Sequence, residues 1–451
     1  MSIAPHAAVP SRTQRTQRRR LFGAALRPSF HPFLLALALA LHGPAAQADD
    51  ALTLDQALQL AQQRSLQLLA QDAAALGARE MARAAGQLPD PSLRVSVDAL
   101  PVNGPNRFSL VRDDSTMATV GVTQELTGEA KRKARSARFE READSAMAGR
   151  ALALATLRRD TAVAWLERHH QQRIRDALRA QRDEARLQVD AAEGAFRGGR
   201  GMQADVYAAR SAVALVEDRI DQADLQVANA LTLLARWVGG DAQRPLAGPP
   251  ATDAVPLNAG ELEAGFAHHP EIALMTRREG VAQAEADLAR ANQRPDWSVG
   301  LTVGKRGPGY SDVVFLSLSV PLQWDPQNRQ DRELAARLAS VEQLRAERGD
   351  ATRDRVAATL AMLQAWQNNR LRLARYDESI VPLAAERTRA ATSAYRGGGG
   401  ALMPVLEARR AEIDTRVEML KLALETDRLW AQLSYLFPAG NDSAARPLSR
   451  P

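Results

Sequence analysis

The chain has 451 residues, no cysteine and a formal net charge of +6. Without cysteine it carries neither a disulfide framework nor a cysteine metal cluster. Its basic excess would suit a nucleic-acid partner, but Arg12, Arg15, Arg18, Arg19, Arg20 and Arg27 lie in residues 1–48, which hold no acid, and the remaining charges balance. A nucleic-acid partner is therefore not expected.

Residues 1–48 read as a secretory signal peptide: a basic region, the apolar run Phe33–Leu41, and Ala46-Gln47-Ala48 as a small-x-small cleavage site. Arg19-Arg20-Leu21-Phe22 resembles a twin-arginine motif, which leaves the export route open. No later stretch is apolar enough for a transmembrane helix, so membrane entry would need β-structure. Residues 52–64 form a short amphipathic helix with Thr53 as cap, and Leu66–Leu88 a second, stopped by Pro89-Asp90-Pro91. Apolar and polar residues then alternate over 92–100 and again over 117–126, the period of a strand.

A long helical hairpin over 129–237 follows. Its first arm, Glu129–Arg197, would run roughly 100 Å at 1.5 Å per residue. It reverses at Gly198-Gly199-Arg200-Gly201, and the return arm carries Val213, Val216, Ile220, Ala223, Val227, Ala230 and Leu234. Gaps alternating between three and four residues are the coiled-coil spacing. The order then repeats. A short helix over Leu262–His269 and a longer one over Glu271–Arg294 precede strands at 297–306 and 312–322. A second hairpin over 328–436, one long helix to Tyr395 and a return arm, turns at Gly397-Gly398-Gly399-Gly400. The domains predicted are 1–48 signal peptide, 49–250 first repeat, 251–440 second repeat, and 441–451 a disordered tail.

Each strand has one aliphatic face and one of Ser, Thr, Gly or charge, the lipid-out, water-in pattern of a membrane barrel. Trp297 and Trp324 would both stand at one rim of it. Four strands do not close a barrel, and open edges are not tolerated in lipid. Several copies must pool their strands, with the helices continuing as a wall below.

These residues resemble the TolC family of outer-membrane efflux channels. The resemblance covers Leu52 to about Gly440 and rests on the duplicated order. It rests also on the paired tips Phe196-Arg197-Gly198-Gly199…Asp205-Val206…Ala209-Arg210 and Tyr395-Arg396-Gly397-Gly398…Val405-Leu406-Glu407-Ala408-Arg409. It implies a mostly α fold with a small β part: four strands per protomer pooled in a homotrimer into a twelve-stranded barrel, continued by an α-helical coiled-coil barrel. It also implies a periplasmic adaptor (membrane fusion) protein, an inner-membrane pump and outer-membrane lipids as partners, and location in the outer membrane of a Gram-negative bacterium. Thr127–Arg135 and Pro321–Gln330 are similar to segments of CzcC-type metal channels, which makes heavy-metal cations the expected cargo, with drugs or other organic solutes as the alternative. The resemblance puts the periplasmic tip, gate and adaptor contact at Arg197, Gly198, Gly199, Gly201, Asp205, Arg210, Arg396, Gly397, Gly398, Gly400, Glu407 and Arg409. Pro404 stands where an acid is common in the family, which weakens an acidic ring.

No enzyme motif, cofactor site or metal site is expected. His169-His170 and His268-His269 read as solvated helix positions, since adjacent helical residues do not share a face. Met202 and Met403, near the tips, read as packing residues. The glycine turns lack the Gly-Lys-Ser/Thr of a phosphate loop. A periplasmic adaptor would have one hairpin and more β-structure, and a soluble coiled-coil scaffold would need no strands of this pattern.

Overall fold

The computed structural model describes residues 51–257 and 265–437. The expected signal peptide, the tail and residues 262–264 of the short helix expected at 262–269 lie outside the described residues; the rest of that stretch holds a 3-10 turn at Phe266–His268.

Helix α1 (Leu54–Arg64) starts on a reciprocal cap, with Gln56 N donating to Thr53 Oγ1 at 3.1 Å and Thr53 N to Gln56 Oε1 at 3.2 Å. Helix α2 (Leu66–Ala85) leads to β1 (Ser92–Asp98) and β2 (Met117–Leu126). Strand β1 stops short of the predicted residue 100 because Ala99 turns to a φ of 56°, outside the β region. Helix α3 (Glu129–Arg197) is unbroken for 69 residues, and α4 (Gln203–Val238) returns along it.

The second repeat gives α5 (Pro270–Asn292), β3 (Trp297–Arg306), β4 (Val313–Ser319), α6 (Gln330–Arg375), α7 (Val381–Arg396) and α8 (Leu402–Ser434). Strand β4 is shorter than the 312–322 expected and ends just before Pro321, which has no N–H to give a ladder. The single long helix predicted here is interrupted by a π-turn at Tyr376–Ile380. Pro382 accounts for it: without an N–H, and with its ring against the carbonyl four residues back, it disrupts regular α-helical bonding.

Helix α3 packs against α2 and α4 of its own repeat and against α5 and α8 of the other. Helix α6 packs against α5 and α8, and α7 against α8. Each long helix thus runs beside one made in two pieces, α2 with α4 or α5 with α8. Of the coiled-coil positions on α4, Val213, Val216, Ile220, Ala223, Ala230 and Leu234 are buried. Mid-wall, Trp165, Leu166, Leu234, Trp366, Trp430 and Leu433 share one apolar core. Backbone ends are tied to it by Trp165 Nε1 donating to Leu52 O (3.1 Å) and Arg168 to Ala242 O (2.6 Å) and Arg244 O (2.9 Å).

Here the expectation of solvated positions fails for His169, His170 and His269. His170 is 2% exposed and its Nε2 lies 2.6 Å from Asp427 Oδ2 on α8. His169 stacks on Trp165, and burial, helped by neighbouring His170 and Arg173, lowers its pKa to about 4. His269 is buried as the cap of α5, its Nδ1 accepting from Glu271 N at 3.3 Å, while His268 is exposed. The partners come from chain more than two hundred residues away for His170, out of reach of a local pattern.

Candidate functional site

The strands form one antiparallel sheet in the order β1-β2-β3-β4, so β2 and β3 join the two repeats. Register places like on like. Val95, Val120, Val303 and Val314 form one row across the sheet, and Leu93, Val122, Leu301 and Leu316 the next. All eight side chains are exposed, at 48–79%. The opposite face is polar and crowded. Ser96 Oγ and Thr119 Oγ1 lie 2.7 Å apart, and Thr119 Oγ1 donates to Asp98 Oδ2 at 2.7 Å. A methyl group at Gly121 would overlap the Thr302 hydroxyl, and one at Gly300 the Ser317 hydroxyl. The polar face is therefore the tightly packed one, and the aliphatic face is exposed. Among the described residues β1 and β4 each have one unpaired edge.

Trp297, 52% exposed, opens β3 on the aliphatic face opposite Leu126, and Trp324, 86% exposed, follows β4 at the same end. Just below, Lys131 is buried; its Nζ donates to Asp296 Oδ2 (2.8 Å) and Arg294 O (2.9 Å). Arg132 Nη1 donates to Gly86 O at 3.2 Å. The basic segment at the start of α3 is thus a clamp that holds α3 to the strand and helix ends around it.

At the far end the two glycine turns are near copies. Gly199 (φ 72°) and Gly398 (φ 77°) occupy the left-handed region that favours glycine. Gly198 N donates to Gly194 O (3.0 Å) and Gly397 N to Ser393 O (2.9 Å), closing the last turn of each helix. A methyl at Gly201 would come within 3.1 Å of Ala195 Cβ, and one at Gly400 within 3.2 Å of Ala394 C, so both close the loop against the helix it leaves. Asp205 caps α4 by accepting from Met202 N at 3.1 Å; Pro404 takes the equivalent place in α8, where no N–H is needed. Arg197 and Arg396 are exposed. Met202 and Met403, expected to pack, are 67% and 48% exposed.

Val206, Ala209, Leu402 and Val405 meet Ala192 in one core, so the two tips abut. Their arginines differ. Arg210 pairs with Glu193 of its own hairpin at 2.6 Å, and this hydrogen bond holds the Glu193 carboxyl below its usual range. Arg409 crosses between hairpins to Glu184 of α3 and also lies 3.4 Å from Glu412, whose other oxygen takes Arg416 at 2.8 Å. Arg219 Nη1 adds a second crossing, 2.6 Å from Asp414. The sequence singled out neither Glu184, Glu412 nor Asp414; the i, i+3 and i, i+4 spacing of Arg409, Glu412 and Arg416 was the available signal. Glu407 is exposed on the rim of a groove of about 320 Å³ between α4 and α8, floored by Ala185, Val216 and Ile413.

Among the described residues no helix is long and apolar enough to cross a membrane, and no group of three or more His, Asp or Glu is placed to hold a metal ion.

The fold is that of outer-membrane efflux channels. The Outer membrane efflux protein family model matches residues 265–437. The outer membrane protein VceC of Vibrio cholerae superposes with a TM-score of 0.69 at 18% identity, over 85% of this chain and 95% of that one. The outer-membrane channel OprN gives 0.72 at 16% identity, over 85% and 89%. CusC gives 0.64 at 14% identity, over 85% and 91%. No curated protein sequence matches.

Proposed function

We propose that the chain is one protomer of a homotrimeric outer-membrane channel in a tripartite, resistance-nodulation-division type exporter. Three sheets would close into a twelve-stranded barrel and the helices into a periplasmic tunnel. The observation that carries this reading is the bare aliphatic face of a sheet whose two edges are both open. In water such a face associates, and in lipid such edges must pair. The role is passive passage with gating and involves no catalysis. A periplasmic adaptor and an inner-membrane pump complete the pathway. The tip residues, with the ion pairs Arg409–Glu184 and Arg219–Asp414 between hairpins, form the gate, and opening separates the hairpins there.

Heavy-metal cations are the proposed cargo, supported by the likeness of Thr127–Arg135 and Pro321–Gln330 to segments of CzcC-type channels. Lys131 and Arg132 of the first segment serve the wall's architecture, so the cargo test must be made in cells. A deletion strain is expected to become sensitive to one or more of zinc, cobalt, cadmium, copper and silver; sensitivity to drugs or dyes alone would favour organic cargo. For the channel itself, the mass of the purified protein in detergent and its outer-membrane fractionation decide. A monomer that stays folded and soluble without detergent would end the reading. Glu407→Gln is expected to alter the closed-channel conductance, and unchanged single-channel traces would remove Glu407 from the gate.

A further inference from the structure

The internal duplication contains a template for the contact between copies. Setting Pro295-Asp296-Trp297-Ser298 on Pro89-Asp90-Pro91-Ser92 places β3 on β1. The β1–β2 and β3–β4 ladders then coincide only with Leu316 on Val120 and Leu318 on Val122. With that equivalence, the β2–β3 seam inside the chain becomes a pattern for β4 of one copy against β1 of the next. Gly121 opposite Thr302 becomes Ser317 opposite Ser96, and Val122 opposite Leu301 becomes Leu318 opposite Val95.

Three further observations agree. The transferred register keeps aliphatic residues beside aliphatic and polar beside polar, which a slip of one residue would destroy. Helix α3 is covered by α5 and α8 of the other repeat, whereas α6 and α7 do not pack against α2 or α4 of their own chain. Leu66, Leu69 and Leu76 on α2 and Leu371 and Leu383 on α6 and α7 are correspondingly exposed. Finally, the glycine tips align Lys131 with Gln330. Lys131 is clamped by Asp296, while Gln330 buries its Oε1 without a partner and Asp90, the counterpart of Asp296, is exposed and unpaired among the described residues. The same amide's Nε2 makes no bond within the chain and is not sealed from solvent, so it is the donor that can be offered to a neighbouring copy.

We infer that copies of this chain join β4 to β1 in a single register, Ser317 opposite Ser96 and Leu318 opposite Val95 of the neighbouring copy, with the Gln330 amide donating to Asp90 of that copy. This rests on the reading that copies pool their strands. Gln330 then holds the seam between copies as Lys131 holds the seam within one.

The cysteine-free chain makes the test clean. β1 and β4 are opposite edges of one sheet, so a bridge between them links copies and not positions in one chain. The full chain carrying S96C and S317C, oxidised in the outer membrane, is expected to give dimer and trimer bands that disappear with reductant. S96C with S319C, one diagonal step away and beyond ordinary disulfide reach, is expected to cross-link about tenfold less. A better yield from S96C with S319C or F315C overturns the register. If no pair cross-links while the mass in detergent is three protomers, the register fails and the channel reading stands; a monomeric mass sinks both. Independently, Gln330→Lys should raise the temperature at which the assembly dissociates in SDS, and Asp90→Asn should cancel that gain. No rise, or a rise that survives Asp90→Asn, overturns the Gln330 contact.

Discussion

The two repeats share an element order and a turn, yet equivalent residues do different work in them. Lys131 begins α3 in a buried ion pair with Asp296, while Gln330 begins α6 with an orphaned amide atom. Arg210 stays within its hairpin; Arg409 leaves its own to reach Glu184. Part of that difference is local: Glu193 on α3 has Thr392 as its counterpart on α7, so the acid that Arg210 meets on its facing helix is missing for Arg409. Helix α3 is unbroken, while Pro382 forces a π-turn between α6 and α7. The first long helix is the inner member of the chain, covered from both repeats, and the second is the outer one. Duplication supplied the scaffold, and divergence gave the first long helix the contacts that join the two repeats.

The comparison is most open to breakage at the sheet end. Lys131→Ala leaves Asp296, only 17% exposed at its side chain, without its cation. A loss of about 3 kcal/mol is expected. Gln330→Ala in the isolated protomer should cost far less. Denaturation of the two variants side by side checks this, and equal losses would erase the distinction between the seams. At the tips, the Arg409 side chain is 19% exposed and that of Arg210 59%. Arg409→Ala is expected to destabilise by about 2 kcal/mol, the scale of a part-buried charged hydrogen bond, and to raise closed-channel conductance. Arg210→Ala should leave both within error, and the opposite ranking would reverse the roles given to the two arginines.

The turns themselves should behave alike. A methyl group at Gly199 or Gly398 meets no neighbour, so only the positive φ is penalised. Each change to Ala should cost about 1 kcal/mol, and unequal losses would show that one turn is strained by its surroundings. The smallest effect concerns pH. His169 is held near 4 by burial, below its usual value of 6.5. The unfolded chain therefore takes up a proton between those values while the folded chain does not. Stability falls as pH drops from about 6.5 to about 4. His169→Gln should flatten that slope in melting curves taken across the window. His269 of the second repeat is also held below its usual value by burial, so it adds a slope of the same sign, and His169→Gln should flatten only part of the total.

What the sequence determined by itself is whatever short-range periodicity and backbone chemistry control. Alternation over β2 and β3 fixed which residues share a face. Glycine runs fixed where the hairpins reverse, and Thr53 with Gln56 fixed the start of α1. The order of elements and the duplication followed from these. Tertiary structure alone decided the end of β1 at Ala99, which depends on how the following loop folds back, since Thr116 Oγ1 donates to Ala99 O at 3.0 Å. It also decided that Lys131 is a buried clamp rather than part of a solvated basic run, that His170 is sheltered by Asp427, and that Arg409 bridges hairpins. Each of these depends on a partner brought in from a distant part of the chain, and a side chain's charge or burial is set by the neighbours that displace water from it, which no local pattern records.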